Sequence, residues 1–354
     1  MTRRESVIAV LRGGKPPVIP SFGECPMDAT VLAGLIPPGS GDAADDAMAY
    51  TDFFDNCVAN VHLGVSQTTL SRDKNHHMYE YETGAVWTER YTPVFCREAT
   101  RYPVNSPEEA FTFTMPVFDD GKRFDRPFLT RTTKKLKDNG YFVQGNITGA
   151  WSSSYYYITR FENMLEWMLS EPEAAAHIMK EASDFSIKSA EVMLECGVDC
   201  VFTFSDLGTS ISTLFSKEAF RTYVCPWLEA ICRLCHNYGA FFHLHSHGHI
   251  ETFMDDIVES GVDLINPVGP SDNNDLAMFK EKWGDKISFM GGISTTIAQM
   301  NEDEMRRHVA GVITVGRKGG RFFPRTESGI PLMPVEKTLL YLDILKEERM
   351  KGYA

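Results

Sequence analysis

From about residue 140 onward, short β-rich apolar runs alternate with longer stretches whose apolar positions recur every three or four residues. That rhythm predicts strands joined by helices around a parallel sheet. Residues 141–145, 198–204, 240–245, 263–267, 286–291 and 320–324 read as strands. Helices are expected at 160–169, from Pro172 to Glu195, from Ser216 to Gly239, and at 251–260, 277–283, 302–315 and 335–350. Ser170-Glu171-Pro172-Glu173 has the form of a capping box, and Pro226 is expected to kink or break its helix. In the last helix Val335, Leu339, Leu342 and Leu345 form the predicted core-facing stripe. Near the start, Thr2-x-x-Glu5 is a capping box for a short helix that stops at Gly13-Gly14.

Two earlier apolar runs, 17–22 and 57–63, bring the strand total to eight. The fold class expected is α/β, a (β/α)8 TIM barrel; the runner-up, a doubly wound open sheet, lacks any G-x-G-x-x-G or G-x-x-x-x-G-K-[ST] run. A barrel takes about 250 residues, so about 100 are surplus. They fall in an N-terminal extension and long insertions at 24–55 and 64–140, where Gly, Pro, Asp and Asn are dense and periodicity is poor. One barrel domain spanning 1–354, with these segments covering the C-terminal face, is the expected organisation.

Composition narrows the function classes. A chain of 354 residues with 43% hydrophobic content has ample core, and its net charge of −13 is scattered rather than gathered into a basic stripe. Nucleic-acid binding is therefore not expected. Arg12 interrupts the first apolar run, and no uncharged apolar stretch approaches the length of a membrane span, so a soluble, cytoplasmic protein is expected. Eight cysteines in such a chain read as reduced thiols. Cys232-Arg233-Leu234-Cys235-His236 matches the haem-attachment spacing but lies in a helical pattern, which favours core cysteines.

The chemistry concentrates at His243, His245, His247 and His249. Residues two apart in a strand project to one side, so neighbouring members of this set converge. They sit at the C-terminal end of a barrel strand, where such barrels carry out their reactions, and metal binding is the expected role. Asp206 ends the preceding strand, and Trp151 and Tyr155-Tyr156-Tyr157 follow a turn at another strand end, where aromatic faces would line a substrate pocket.

Three segments resemble the uroporphyrinogen decarboxylase-like superfamily and, within it, the corrinoid-linked methyltransferases. They are residues 4–13, residues 197–206, and the run from His243 to Pro334, which contains His245-Ser246-His247-Gly248, Gly261-Val262-Asp263, Gly284-Asp285-Lys286-Ile287, Gly291-Gly292-Ile293 and Gly319-Gly320 in the family's order. The resemblance implies a barrel holding catalytic zinc through H-x-C and a later cysteine. His245 matches the histidine and His247 replaces the first cysteine; Glu327 and Ser328 stand where the later cysteine belongs. The resemblance thus implies His245 and His247 as metal ligands, with Glu327 or Asp206 supplying the missing carboxylate; Asp206 and His245 are the expected catalytic residues, and Trp151, Tyr155 and His243 are expected at the substrate. Its branch implies methyl transfer between a small methylated compound and a corrinoid on a separate protein, since no cobalamin-binding domain is legible. A His/carboxylate set leaves zinc more electrophilic than thiolates do, which favours O-demethylation of a methoxylated compound. The alternatives are decarboxylation of a uroporphyrinogen-type tetrapyrrole, or a non-enzymatic metal or tetrapyrrole carrier. The decarboxylase branch grips carboxylates with arginines after the first strand, whereas Ser21–Asp28 carries no cation and includes Glu24 and Asp28.

Overall fold

The computed structural model describes residues 1–24, 35–36, 39–92, 95–118, 124–330 and 333–353. Seven parallel strands form one sheet in chain order: β1 (Val58–His62), β6 (Phe142–Thr148), β7 (Cys200–Phe204), β8 (Phe241–His245), β9 (Leu264–Val268), β10 (Ser288–Ile293) and β11 (Phe322–Thr326). Between β1 and β6 a separate antiparallel meander contains β2 (Gln67–Arg72), β3 (His76–Tyr81), β4 (Val86–Arg90) and β5 (Cys96–Arg101). The six expected strands after residue 140 are all present, as is the one at 57–63.

The strand expected at 17–22 is not formed. Pro16, Pro17 and Pro20 offer no N–H to a ladder, and side chains hold the segment instead. Ser21 Oγ donates to Asn56 Oδ1 (2.7 Å), the Ser21 carbonyl accepts from Cys57 N (2.9 Å), and Asn56 also bonds the backbone N–H and C=O of Glu24. The Glu24 carboxylate is fully buried and accepts from Thr326 N (2.8 Å), Thr326 Oγ1 (2.6 Å) and Tyr341 Oη (3.0 Å). Glu24 therefore ties the N-terminal segment to β11, and it does not face a substrate as the repulsion argument requires. Asp28, the other acid of that argument, lies outside the described residues.

Side chains alternate across a strand, so the inward face can be read two residues at a time. Phe22, Val58, Phe142, Cys200, Leu264, Met290 and Phe323 pack together as an apolar floor. Two residues further along, the same face carries Asn60, Gln144, Phe202, His243, Asn266 and Arg325. The sheet is thus apolar at one end and polar towards its C-terminal mouth.

Helices follow the expected order with local corrections. Thr2 caps Arg3–Leu11 through a capping box with Glu5, as predicted. At Pro172–Glu195 the N-cap is Glu171, without a side-chain bond, because Ser170 Oγ donates back to the Glu166 carbonyl. Pro226 does not break its helix: a π-helical turn over Phe220–Val224 precedes it, and Pro226 sits in the first turn of Cys225–Asn237. In Val335–Met350 the buried residues are Thr338, Tyr341, Ile344, Leu345 and Arg349, while Leu339 is exposed. Arg349 is buried because it pairs with Asp55 (2.5 Å), which rotates the core face away from the aliphatic stripe. Cys232 and Cys235 are buried free thiols whose pKa burial raises, which agrees with core cysteines. No helix among the described residues is long and apolar enough to cross a membrane.

One buried amine makes a testable consequence for stability. Lys280 Nζ donates to the Gly320 carbonyl, and burial, with Arg321 and Lys15 nearby, pushes its pKa down to about 8. In the unfolded chain it holds its proton to about pH 10.4. Between those values the native state binds fewer protons, so stability is expected to rise with pH across that window. Urea unfolding at pH 7.5 and 9.5 checks this: the rise should shrink in Lys280→Met, and an unchanged rise in that variant would rule Lys280 out as its source.

Candidate active site

At the mouth, Asp206 follows β7 and His245 ends β8. Asp206 is fixed at both ends. Its carbonyl accepts from Trp151 Nε1 (2.9 Å) and its Oδ1 accepts from the backbone N–H of His247 (2.9 Å). Its carboxylate stays about half exposed, with Oδ1 3.8 Å from His245 Nε2. The loops after β7 and β8 meet at glycines: a Cβ on Gly248, at φ +101°, would come within 2.3 Å of Gly208 backbone atoms. A side chain there would push Asp206 and His247 apart.

His245 and His247 lie edge to face with ring centroids 5.0 Å apart. His247 Nδ1 is 3.0 Å from Asp272 Oδ2, in the turn after β9, and this hydrogen bond raises the His247 pKa. His245 has its pKa pushed down to about 3 by desolvation, with His247 and Arg325 adding to the shift. The sequence places both histidines here. It gave no sign of Asp272.

His243 lies beneath the mouth rather than in it. It is fully buried, with Nδ1 2.8 Å from Gln144 Oε1 and Nε2 2.6 Å from Asn266 Oδ1. Desolvation lowers its pKa far below the usual value. Gln144 Nε2 also donates to Asn60 Oδ1 (3.0 Å) and Asn146 Oδ1 (3.1 Å), and this network supports His243 as a strut, not as a substrate contact. His249 turns away, with Nδ1 3.1 Å from the Asn273 carbonyl.

Trp151 is likewise buried, packed on Tyr155, Phe161 and Phe215. It holds Asp206 in place and presents no face to the mouth, contrary to the expected substrate role. Tyr155 is half-buried beside Tyr156 (4.8 Å between centroids), and desolvation raises its pKa strongly. The π-helical turn Ser154–Ile158 that carries these tyrosines supports the meander: Trp87 Nε1 donates to the Tyr156 carbonyl (2.9 Å), and Tyr81 packs on Tyr157 at 4.7 Å. Strands β3 and β4 of the meander therefore reach the end of β6 as ordered structure, where the sequence shows poor periodicity.

Glu327 does not join the histidines. Its carboxylate accepts from Ser271 N (2.9 Å), Ser271 Oγ (2.6 Å) and Thr295 N (3.0 Å), clamping the loops after β9 and β10. Gly269 leaves room for it, since a Cβ there would meet Glu327 Oε2 at 2.3 Å. Among the described residues no three His, Cys, Asp or Glu side chains converge on one point that would hold a metal. The donors among the described residues do not fit the zinc that the resemblance implies, and His245 with His247 forms only one edge of such a site.

The sequence model of the uroporphyrinogen decarboxylase (URO-D) family matches residues 100–338. No curated protein matches the chain in sequence. A methyltransferase from Methanosarcina mazei shares the fold with a TM-score of 0.72 and 15% identity, covering 99% of this chain and 98% of that one. A B12-independent methionine synthase from Shewanella sp. W3-18-1, in complex with selenomethionine, gives a TM-score of 0.50 and 10% identity over 95% and 94% of the two chains. At these identities the likeness is one of fold.

Proposed function

The chain belongs to the uroporphyrinogen decarboxylase family, and from that premise we propose that it is a methyltransferase moving a methyl group between a small methoxylated compound and a corrinoid carried by a separate protein. The observation that carries this reading is the cluster at the mouth: Asp206, His245 and His247 held together at the ends of β7 and β8 beside half-exposed aromatic faces. The fold shared with the Methanosarcina mazei methyltransferase supports it. In this reading the chain is one (β/α)8 barrel, with residues 19–24 in the place of the eighth strand and 64–140 over the mouth.

The corrinoid supplies the nucleophile that accepts the methyl group. The chain's own residues bind the ether and stabilise the oxygen left behind. Ring N–H groups of His245 and His247 are placed to donate to that oxygen as charge develops, and Asp206 sets the His247 backbone and flanks His245. Asp272 orients the His247 ring.

Decarboxylation of a tetrapyrrole is the second reading, and the family assignment keeps it open. Against it, the seven strands of the sheet contain one Lys or Arg in all, Arg325, which is a poor match for a polycarboxylate. The test of the first reading is direct. The purified protein is incubated with reduced corrinoid and a panel of methoxylated compounds, and consumption of the Co(I) absorption is followed. At least one member of the panel is expected to be demethylated; no consumption with any of them contradicts the proposal.

A further inference from the structure

Arg325 is the one permanent charge in the seven-stranded sheet, whose strands hold no Asp, Glu or Lys and no second Arg. It lies two residues beyond Phe323 of the apolar floor, so alternation puts its side chain on the same inward face. The opposing register partner on β10 is Gly292, which leaves no side chain beside it. Its positive charge acts on both His243 and His245 across the interior.

Among the described residues this guanidinium has no counterion. Its Nε is sealed from solvent without a hydrogen-bond partner, and no ion pair or hydrogen bond joins the Arg325 side chain to any described residue. Two acids that come near are spent elsewhere: Glu327, two residues on, binds Ser271 and Thr295, and Glu24 binds the adjacent Thr326 and Tyr341. A half-buried cation left unpaired is costly unless an anion joins it, and the planar fork of arginine matches a carboxylate. Flat apolar surface lies within the same interior. Phe202 stands 4.8 Å from His243 and 6.1 Å from His245 between ring centroids, and Phe204 packs on Tyr156 at 5.6 Å; all three aromatic residues are partly exposed.

We propose that Arg325 selects the substrate, its guanidinium binding the carboxylate of a methoxylated aromatic acid whose ring lies against Phe202 and Phe204 and whose methoxy group is thereby presented to Asp206, His245 and His247. The proposal rests on the methyltransferase reading for the identity of the reacting group, but the anion site stands on its own geometry. Arg325 is a specificity residue: it holds the end of the substrate that does not react.

Titration calorimetry with benzoate and its neutral counterpart benzamide tests the site without any methyl transfer. The wild type is expected to bind benzoate at least 30-fold more tightly than benzamide. Arg325→Gln should weaken benzoate at least 30-fold and leave benzamide within about twofold, and Arg325→Lys, which keeps the charge but loses the fork, should fall between. Circular dichroism of each variant establishes that it is folded, and the wild-type preference does not depend on any variant. Equal binding of benzoate and benzamide to the wild type, or of benzoate to wild type and a folded Arg325→Gln, would overturn the proposal. In the coupled assay, 3- and 4-methoxybenzoate should outperform the matching methoxybenzamides in kcat/KM by a similar factor, and Arg325→Gln should abolish that preference. If benzoate binding depends on Arg325 while no methoxylated acid donates its methyl group, the anion site holds and the methyltransferase reading falls.

Discussion

Replacing Asp206 with alanine should cut kcat/KM for methyl transfer by about 30- to 900-fold, the equivalent of about 2 to 4 kcal/mol of lost transition-state stabilisation. The carboxylate holds the His247 backbone at 2.9 Å and stands 3.8 Å from His245, so its removal loosens the two rings to which the proposed mechanism gives the departing oxygen. Stability should change by less than about 1 kcal/mol, since the side chain is about half exposed and its fixed carbonyl bond to Trp151 is retained. Asp206→Asn keeps an acceptor for the His247 N–H and should recover part of the loss. Activity within threefold of wild type in Asp206→Ala would remove this residue from the mechanism.

At the opposite end of the sheet the largest effect is on stability. Asp199, just before β7, is nearly sealed from solvent; it accepts from Arg4 Nε (3.0 Å) and Nη2 (2.8 Å), from Lys137 Nζ (3.0 Å) and from the backbone N–H of Val143 (3.0 Å). One carboxylate thus joins the N-terminal helix, the helix Arg126–Asp138 and two neighbouring strands. Asp199→Ala leaves two cations and a backbone donor unpaired. Arg4 and Lys137 are each about one-third exposed, so water recovers part of the loss, and about 3 kcal/mol is expected, a fall of about 4 °C in Tm for a chain of this length. kcat should be unaffected at temperatures where the variant is folded, because Asp199 sits at the N-terminal ends of the strands, opposite the mouth that carries Asp206, His245 and His247. A loss below 1 kcal/mol, measured by denaturant unfolding, would mean the network contributes little.

The order of strands and helices after residue 140 was legible because each strand is a short apolar run bounded by turn residues. The meander was not. Gln67–Arg72 is exposed along its whole length and shows no apolar alternation, so nothing in its residues marks a strand. At the site, the spacing of His245 and His247 and the position of Asp206 at a strand end pointed to residues that the fold brings together at the mouth. Glu327 was misread because resemblance aligned it with a ligand position, while its partners, Ser271 N, Ser271 Oγ and Thr295 N, come from loops that no spacing rule connects. A missed signal was present in the strands themselves. Asn60, Gln144, Asn266 and Arg325 are polar residues inside otherwise apolar strands, and each falls at the same parity as a floor residue. Polar groups on a buried face need partners, and such a ring marks the interior of a mouth rather than a core.

The measurement that bears most directly on the account puts both chemistries to one preparation. The protein is given reduced corrinoid protein with methoxylated acids in one vessel and a uroporphyrinogen-type tetrapyrrole in another, with methyl-corrinoid and released carbon dioxide quantified in both. Formation of methyl-corrinoid at the expense of the methoxy group, with no carbon dioxide from the tetrapyrrole, is the predicted result. Carbon dioxide release from the tetrapyrrole, with no methylation of the corrinoid by any methoxylated acid, would contradict it.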